Sequence, residues 1–192
     1  MMPTLFIIAG CNGAGKTTAA RTLLPDVLGV KEFVNADAIA AGLSPFNVES
    51  VAIQAGKLML ERIDFLLKEQ KDFAIETTLS SKTYVNLVKQ AQSLDFEVFL
   101  IYFWLENADL AIQRVKDRVK NGGHSIPEDV IKRRYARGIE NLVKLFLPIV
   151  DEWLLVNNAV EPPQRIAENL RKDDIIIYEE PIFEKILNYG NV

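Results

Sequence analysis

Six short apolar runs punctuate this chain, and their period differs from that of the segments between them. Residues 4–9 (Thr-Leu-Phe-Ile-Ile-Ala) show no polar alternation, the pattern of a strand buried on both faces of a parallel sheet. Comparable runs recur at 32–35, 73–76, 96–104, 153–156 and 175–178. Helical spacing marks 16–24, 37–42, 46–69, 81–92, 107–120, 127–147 and 163–170. In the longest of these, Val51, Ala55, Leu58, Met59, Ile63, Leu66 and Leu67 fall near one face, and Lys57, Glu61, Asp64 and Lys68 fall elsewhere. Strands alternating with helices predict an α/β fold: a mostly parallel, doubly wound sheet with helices on both faces. Pro162-Pro163 reads as a turn before a late helix rather than a domain boundary. The stretch Glu180 to Val192 reads equally as a docked helix or a loose tail. No repeat or linker divides the 192 residues, so a single domain is expected.

Composition narrows the setting. With 49% apolar and 25% charged residues, the chain is ordinary globular material rather than disordered or collagen-like. One cysteine (Cys11) and one histidine (His124) allow neither an internal disulfide nor a four-ligand zinc site. No apolar stretch is long enough to span a bilayer, and the N-terminus lacks a basic leader, so a cytoplasmic protein is expected. The formal net charge of −4 argues against a polycation that coats nucleic acid. Its distribution is uneven. Between positions 114 and 137, eight bases (Arg114, Lys116, Arg118, Lys120, Lys132, Arg133, Arg134, Arg137) face three acids (Asp117, Glu128, Asp129). A basic island on an acidic chain points to one anionic ligand, or else to solvated helix faces.

Candidate chemistry begins where the first apolar run stops. Gly10-Cys11-Asn12-Gly13-Ala14-Gly15-Lys16-Thr17, followed by Thr18, fits G-x-x-x-x-G-K-[ST] at every fixed position. Its glycines let successive backbone N–H groups turn inward at phosphate oxygens. Lys16 then reaches the β- and γ-phosphates, the Thr17 hydroxyl holds Mg²⁺, and the following helix adds its positive N-terminal end. A buried strand before the loop and an amphipathic helix after it make a nucleoside triphosphate the expected ligand.

Ligands of open α/β sheets sit beyond the carboxyl ends of the strands. Two carboxylates stand there: Asp37, after Phe33-Val34-Asn35-Ala36, and Glu76, before Thr77-Thr78. Asp37 reads as the base that accepts a proton from an attacking hydroxyl, or as the N-cap of the helix behind it. Glu76 reads as a carboxylate that holds Mg²⁺ through water or anchors the acceptor beside Thr77 and Thr78, or as a plain strand-end charge. Arg114 and Arg118 share a helix face at i, i+4, away from Ile112, Val115 and Val119. Asn121-Gly122-Gly123 breaks that helix, and Pro127 opens the next. There Ile131, Tyr135, Ile139, Leu142 and Phe146 face the core, Arg134 flanks them, and Arg133 and Arg137 lie further round. Two arginine-bearing helices on a glycine hinge predict a helical lid over about 107–147, closing over the triphosphate. His124 on the hinge is a candidate ligand contact. Asn157 and Asn158 read as a base-contacting loop or as an Asn-Asn turn.

Several of these segments, taken in order, resemble the zeta-toxin-like P-loop kinases. They are Gly10 to Thr18, Phe33 to Asp37, Gly42-Leu43-Ser44-Pro45-Phe46, Glu76-Thr77-Thr78-Leu79, Gly122-Gly123-His124-Ser125-Ile126-Pro127, Arg133-Arg134-Tyr135 and Asn141-Leu142. The resemblance covers about residues 4–157. It implies ATP-dependent phosphorylation of a sugar-nucleotide hydroxyl, with UDP-N-acetylglucosamine as acceptor, and an antitoxin as protein partner. It carries the phosphate-binding lysine onto Lys16, the proton-accepting aspartate onto Asp37 and the acceptor-side glutamate onto Glu76. The phosphate-clamping arginine pair falls on Arg118, with Arg114 as the alternative, and on Arg134 or Arg137. Competing expectations are a kinase of another hydroxyl (sugar, nucleoside or antibiotic), a nucleotide-dependent switch with little turnover, and a polynucleotide 5′-hydroxyl kinase, against which the net acidity counts.

Overall fold

The computed structural model describes residues 2–170 and 174–190. Among these residues seven strands form one sheet in the order β2-β3-β1-β4-β5-β6-β7. They are β1 (Thr4–Gly10), β2 (Glu32–Val34), β3 (Phe73–Thr77), β4 (Glu97–Trp104), β5 (Glu152–Asn157), β6 (Gln164–Asn169) and β7 (Ile175–Ile177). The first five run parallel; β6 and β7 extend the sheet antiparallel at one edge. Leu5, Ile7, Ile8 and Ala9 on β1 are fully buried, because helices cover both faces of the central strands. The chain leaves β1 for the outer strand β2, returns to β3, then crosses to β4 on the other side. The switch point therefore lies beside the C-terminal end of β1, where the glycine-rich loop begins.

Among the described residues seven α-helices complete the fold: α1 (Lys16–Thr22), α2 (Ala36–Leu43), α3 (Ala52–Lys68), α4 (Thr83–Ser93), α5 (Ala108–Lys120), α6 (Glu128–Asn141) and α7 (Glu180–Gly190). The expected single helix over 46–69 is divided: a 3₁₀ turn at Val48–Val51 precedes α3. The buried stripe of α3 is also narrower than the pattern predicts, holding Ala55, Met59, Ile63, Leu66 and Leu67 but leaving Leu58 exposed. The helix expected at 163–170 is instead β6. Gln-Arg-Ile-Ala-Glu-Asn has adequate helix propensity, but β5 offers an open edge, and pairing with it buries Ile166, Ala167 and Glu168. The run at 175–178 does form a strand, though at the sheet's edge with its isoleucines exposed rather than buried. The stretch from Glu180 is helical and docked: Phe183 and Ile186 are buried, and Phe183 stacks on Trp153 with ring centroids 6.2 Å apart. Residues 191–192 lie outside the described part.

The expected lid is half anchored. Ile131, Tyr135, Ile139, Leu142 and Phe146 all join the central core, and the Tyr135 hydroxyl donates to the Leu105 carbonyl at 2.9 Å. Gly138 lets α6 press against the turn after β3, since a Cβ there would stand 2.6 Å from the Thr78 carbonyl oxygen. Asn141 ties the same turn by donating to the Leu79 carbonyl at 2.6 Å. Swinging α6 outward would break these contacts.

Candidate functional site

The glycine-rich loop is folded as its sequence demands. Gly10, Gly13 and Gly15 all have positive φ, and the Ala14 N–H closes a turn on the Cys11 carbonyl at 3.2 Å. Asn158, from the loop after β5, donates to the Ala14 carbonyl at 2.7 Å and lies so close to Gly15 that a Cβ there would approach its Nδ2 to 2.5 Å. Lys16 opens α1 and is buried; its ammonium donates to the Cys11 carbonyl at 2.9 Å and stands 3.7 Å from Glu76. Burial lowers the Lys16 pKa from its ordinary value, against the pull of Glu76, and nearby Arg118 lowers it further. Burial also pushes the Cys11 thiol up to about 11, so it is an inert part of the loop's packing.

Glu76 is the hub of the polar floor. One of its carboxylate oxygens accepts from the Thr17 hydroxyl at 2.7 Å and from Asn35 Nδ2 at 2.6 Å. Asn35 works at both ends. Its Oδ1 accepts the N–H groups of Asp37 (2.8 Å) and Ala38 (3.2 Å), which makes it the N-cap of α2. The capping role open to Asp37 is therefore filled by Asn35. Asp37 sits in the first turn of α2 with its side chain 61% exposed, facing His124 Nε2 at 3.8 Å. Thr77 is buried and accepts the Leu79 N–H at 3.0 Å, while the Thr78 hydroxyl pairs with Ser80 at 2.8 Å.

The basic helices close the other side. Arg118 Nη2 donates to the His124 carbonyl at 3.0 Å, and its buried Nε has no partner among the described residues. Arg134 reaches across from α6 to Asn12 in the loop at 3.3 Å. Between these parts lies a cleft of about 480 Å³, within the usual range of ligand pockets. Lys16, Arg114, Arg118 and Arg134 line it against two carboxylates, Asp37 and Glu76. The result is a positively biased pocket with one exposed carboxylate at its mouth and hydroxyls along the β3 side, suited to holding a polyanionic tail next to a hydroxyl-bearing molecule.

A family model for zeta toxin matches residues 1–161. The chain belongs to the zeta toxin family. A Haemophilus influenzae relative, described only as an uncharacterized protein, is 35% identical over 126 residues, 66% of this chain and 88% of its own length. In three dimensions the chain resembles AvrRxo1-ORF1:AvrRxo1-ORF2 with sulphate ions (TM-score 0.77, 18% identity, 97% of this chain) and spans 64% of that protein's length. It also resembles the PezAT chromosomal toxin–antitoxin system of Streptococcus pneumoniae (TM-score 0.66, 16% identity, 99% of this chain and 85% of that one). At such identities the structural likeness establishes the shared P-loop fold.

Most residues expected at the site of this zeta toxin family member line one cleft: Asn12, Gly13, Gly15, Lys16, Thr17 and Thr18 on the loop side, and Asp37, Glu76, Thr77 and Thr78 opposite. Gly10 and Ala14 belong to the loop but do not line the cleft; Ala14 is buried, and a Cβ on Gly10 would stand 3.2 Å from Ala14 Cβ. Arg114, Arg118 and Arg134 face the cleft, but Arg137, one helical turn beyond Arg134, is exposed and lines no part of it. His124 lines an adjoining cavity rather than the cleft. Asn157 is buried, with Oδ1 engaged by the Ala159 N–H at 3.0 Å, so it does not front the pocket; the loop contact belongs to Asn158. The sequence reading assigned no role to Asn35, Ser80, Ser81 or Tyr84, although all four line the cleft. Asn35 had one signal, a cap residue two positions before a charged first-turn aspartate.

Proposed function

We propose that this protein is an ATP-dependent small-molecule kinase that transfers the γ-phosphate to an alcohol. One observation carries the reading: Asp37 is released from capping by Asn35 and opens into the same cleft as Lys16, Arg114 and Arg118. The glycine-rich loop would cradle the β- and γ-phosphates with its N–H groups, and Lys16 would exchange the Cys11 carbonyl for phosphate oxygens. Thr17 and Glu76 offer the hard oxygen donors that Mg²⁺ prefers, joined at 2.7 Å, so the floor fits that ion; when bound, Mg²⁺ neutralises phosphate charge. The acceptor oxygen attacks the γ-phosphorus, its proton passes to Asp37, and the bond to the β-phosphate oxygen breaks to leave ADP. Arg118, whose buried Nε has no partner among the described residues, supplies charge to the transferring group.

UDP-N-acetylglucosamine is the first acceptor to try, on the family resemblance; another sugar, nucleoside or antibiotic hydroxyl is the alternative within the same mechanism. An antitoxin partner is proposed on the likeness to the PezAT toxin–antitoxin system. The test is an acceptor screen followed by ³¹P NMR. With ATP, Mg²⁺ and the right alcohol, a phosphomonoester and ADP grow together. ATP loss with inorganic phosphate as the sole product in every mixture would reject the kinase reading.

A further inference from the structure

Asp37 stands between two cavities of opposite character. On the side away from the loop, a second cavity of about 310 Å³ shares Ala36, Asp37 and Arg134 with the cleft. It lies among α2, the 3₁₀ turn, the start of α3, the 124–127 segment and the start of α6. Its walls carry the aliphatic side chains of Ala40, Val48, Ala52, Ile126, Pro127 and Val130. Its ionisable side chains are Asp37, Glu49, His124 and Arg134. Whereas the cleft sets four Lys and Arg cations against two carboxylates, this cavity sets one arginine against two. That arginine is already turned to Asn12 at 3.3 Å. An anion entering here would lose water and meet carboxylates, an unfavourable exchange; an uncharged aliphatic surface would only displace water from like surface.

We propose that this second cavity is the subsite for an uncharged, aliphatic-faced portion of the acceptor, the part flanking the hydroxyl presented to Asp37. The assignment rests on the kinase reading above and deepens it: charged groups of the acceptor must lie outside this cavity. The 124–127 wall makes occupancy consequential. The same segment holds Arg118 through the His124 carbonyl at 3.0 Å and sets the His124 imidazole 3.8 Å from Asp37. A ligand body packed against Ile126 and Pro127 steadies the backbone that positions the phosphate-facing arginine, so the correct acceptor helps assemble the transfer geometry.

Saturation-transfer NMR tests this with the 192-residue chain, Mg²⁺, a non-hydrolysable ATP analogue and two matched probes. One is n-butyl β-glucoside; the other is the same glucoside with its butyl chain ending in a carboxylate. The butyl protons of the neutral probe should be saturated, and the carboxylate probe should bind at least tenfold more weakly. Filling the cavity with Ala52→Trp, at the exposed start of α3, should weaken the neutral probe by tenfold or more and leave nucleotide affinity unchanged. Val130→Phe, from the α6 side, should do the same, so a folding defect in one variant leaves the other to decide. No butyl signal in the wild type, equal binding of the two probes, or binding indifferent to both substitutions would overturn the subsite. Because the analogue transfers no phosphate, a kinase reading rejected by the acceptor screen would leave these results standing on their own.

Discussion

The donor and acceptor sides of the cleft meet at Asp37 but are built in opposite ways. The proposed donor side is one continuous stretch, Gly10 to Thr18, in which backbone conformation and a single lysine would do the binding. The acceptor side is gathered from α2, the turn after β3, the 121–127 connection and α6. It is held by bonds between residues far apart in the chain: Asn35 to Glu76 across 41 positions, and Asn141 to Leu79 across 62. A locally encoded grip should therefore survive damage elsewhere in the fold, whereas the transfer geometry should not. Substitutions on the two sides should divide accordingly, into losses of nucleotide binding and losses of turnover.

The largest effect is expected at Arg118. Arg118→Ala should slow transfer by about 10³–10⁵-fold with little change in nucleotide affinity, measured by single-turnover kinetics. A change below about threefold would mean that Arg118 serves packing alone. Asp37→Asn comes next, lowering kcat by about 10²–10⁴-fold while ATP still binds, because general-base assistance is lost and the cap on α2 is untouched. On the donor side, Lys16→Ala should reverse the pattern: calorimetry should find nucleotide binding weakened by about 10²-fold or more. Asn35→Ser keeps a capping oxygen but removes the donor to Glu76. It should leave the melting temperature nearly unchanged and raise the Mg²⁺ concentration needed for half-maximal Mg²⁺-nucleotide binding by several fold, about 1 kcal/mol. Asn35→Asp, with a second carboxylate against Glu76, should be worse.

A smaller effect concerns protons. Because burial lowers the Lys16 pKa in the folded chain, the unfolded state binds more protons between that folded value and the ordinary 10.5. Lys16's contribution to stability therefore rises with pH through this window. A bound triphosphate favours the charged ammonium, so nucleotide binding should take up protons there and weaken as pH climbs. Titration calorimetry at stepped pH values up to 10.5, in buffers of different ionisation heat, should register that uptake. Proton release, or none, would place Lys16 away from the phosphates.

How much of this was legible in the sequence follows the same division. The glycine-rich loop and the five parallel strands could be read directly, since both are set by residues adjacent in the chain. The lid arginines and Asp37 were readable as chemistry but not as geometry. The local pattern offers both Asn35 and Asp37 as caps without deciding between them, and nothing in it says that α6 would be pinned by Gly138 and Asn141. The error at 164–169 has the same cause, a neighbouring strand edge overriding modest helix propensity. Asn157 and Asn158 read alike in sequence, and strand phase separates them: Asn157 turns into the fold, and Asn158 holds the glycine-rich loop.

The most direct test of the central claim is a crystal structure with Mg²⁺ and a non-hydrolysable ATP analogue. The account predicts the β- and γ-phosphates seated in the Gly10 to Thr18 loop, Lys16 released from the Cys11 carbonyl onto phosphate, and the γ-phosphate facing Asp37 across space for an alcohol. Nucleotide bound elsewhere, or a γ-phosphate sealed off from Asp37, would contradict it.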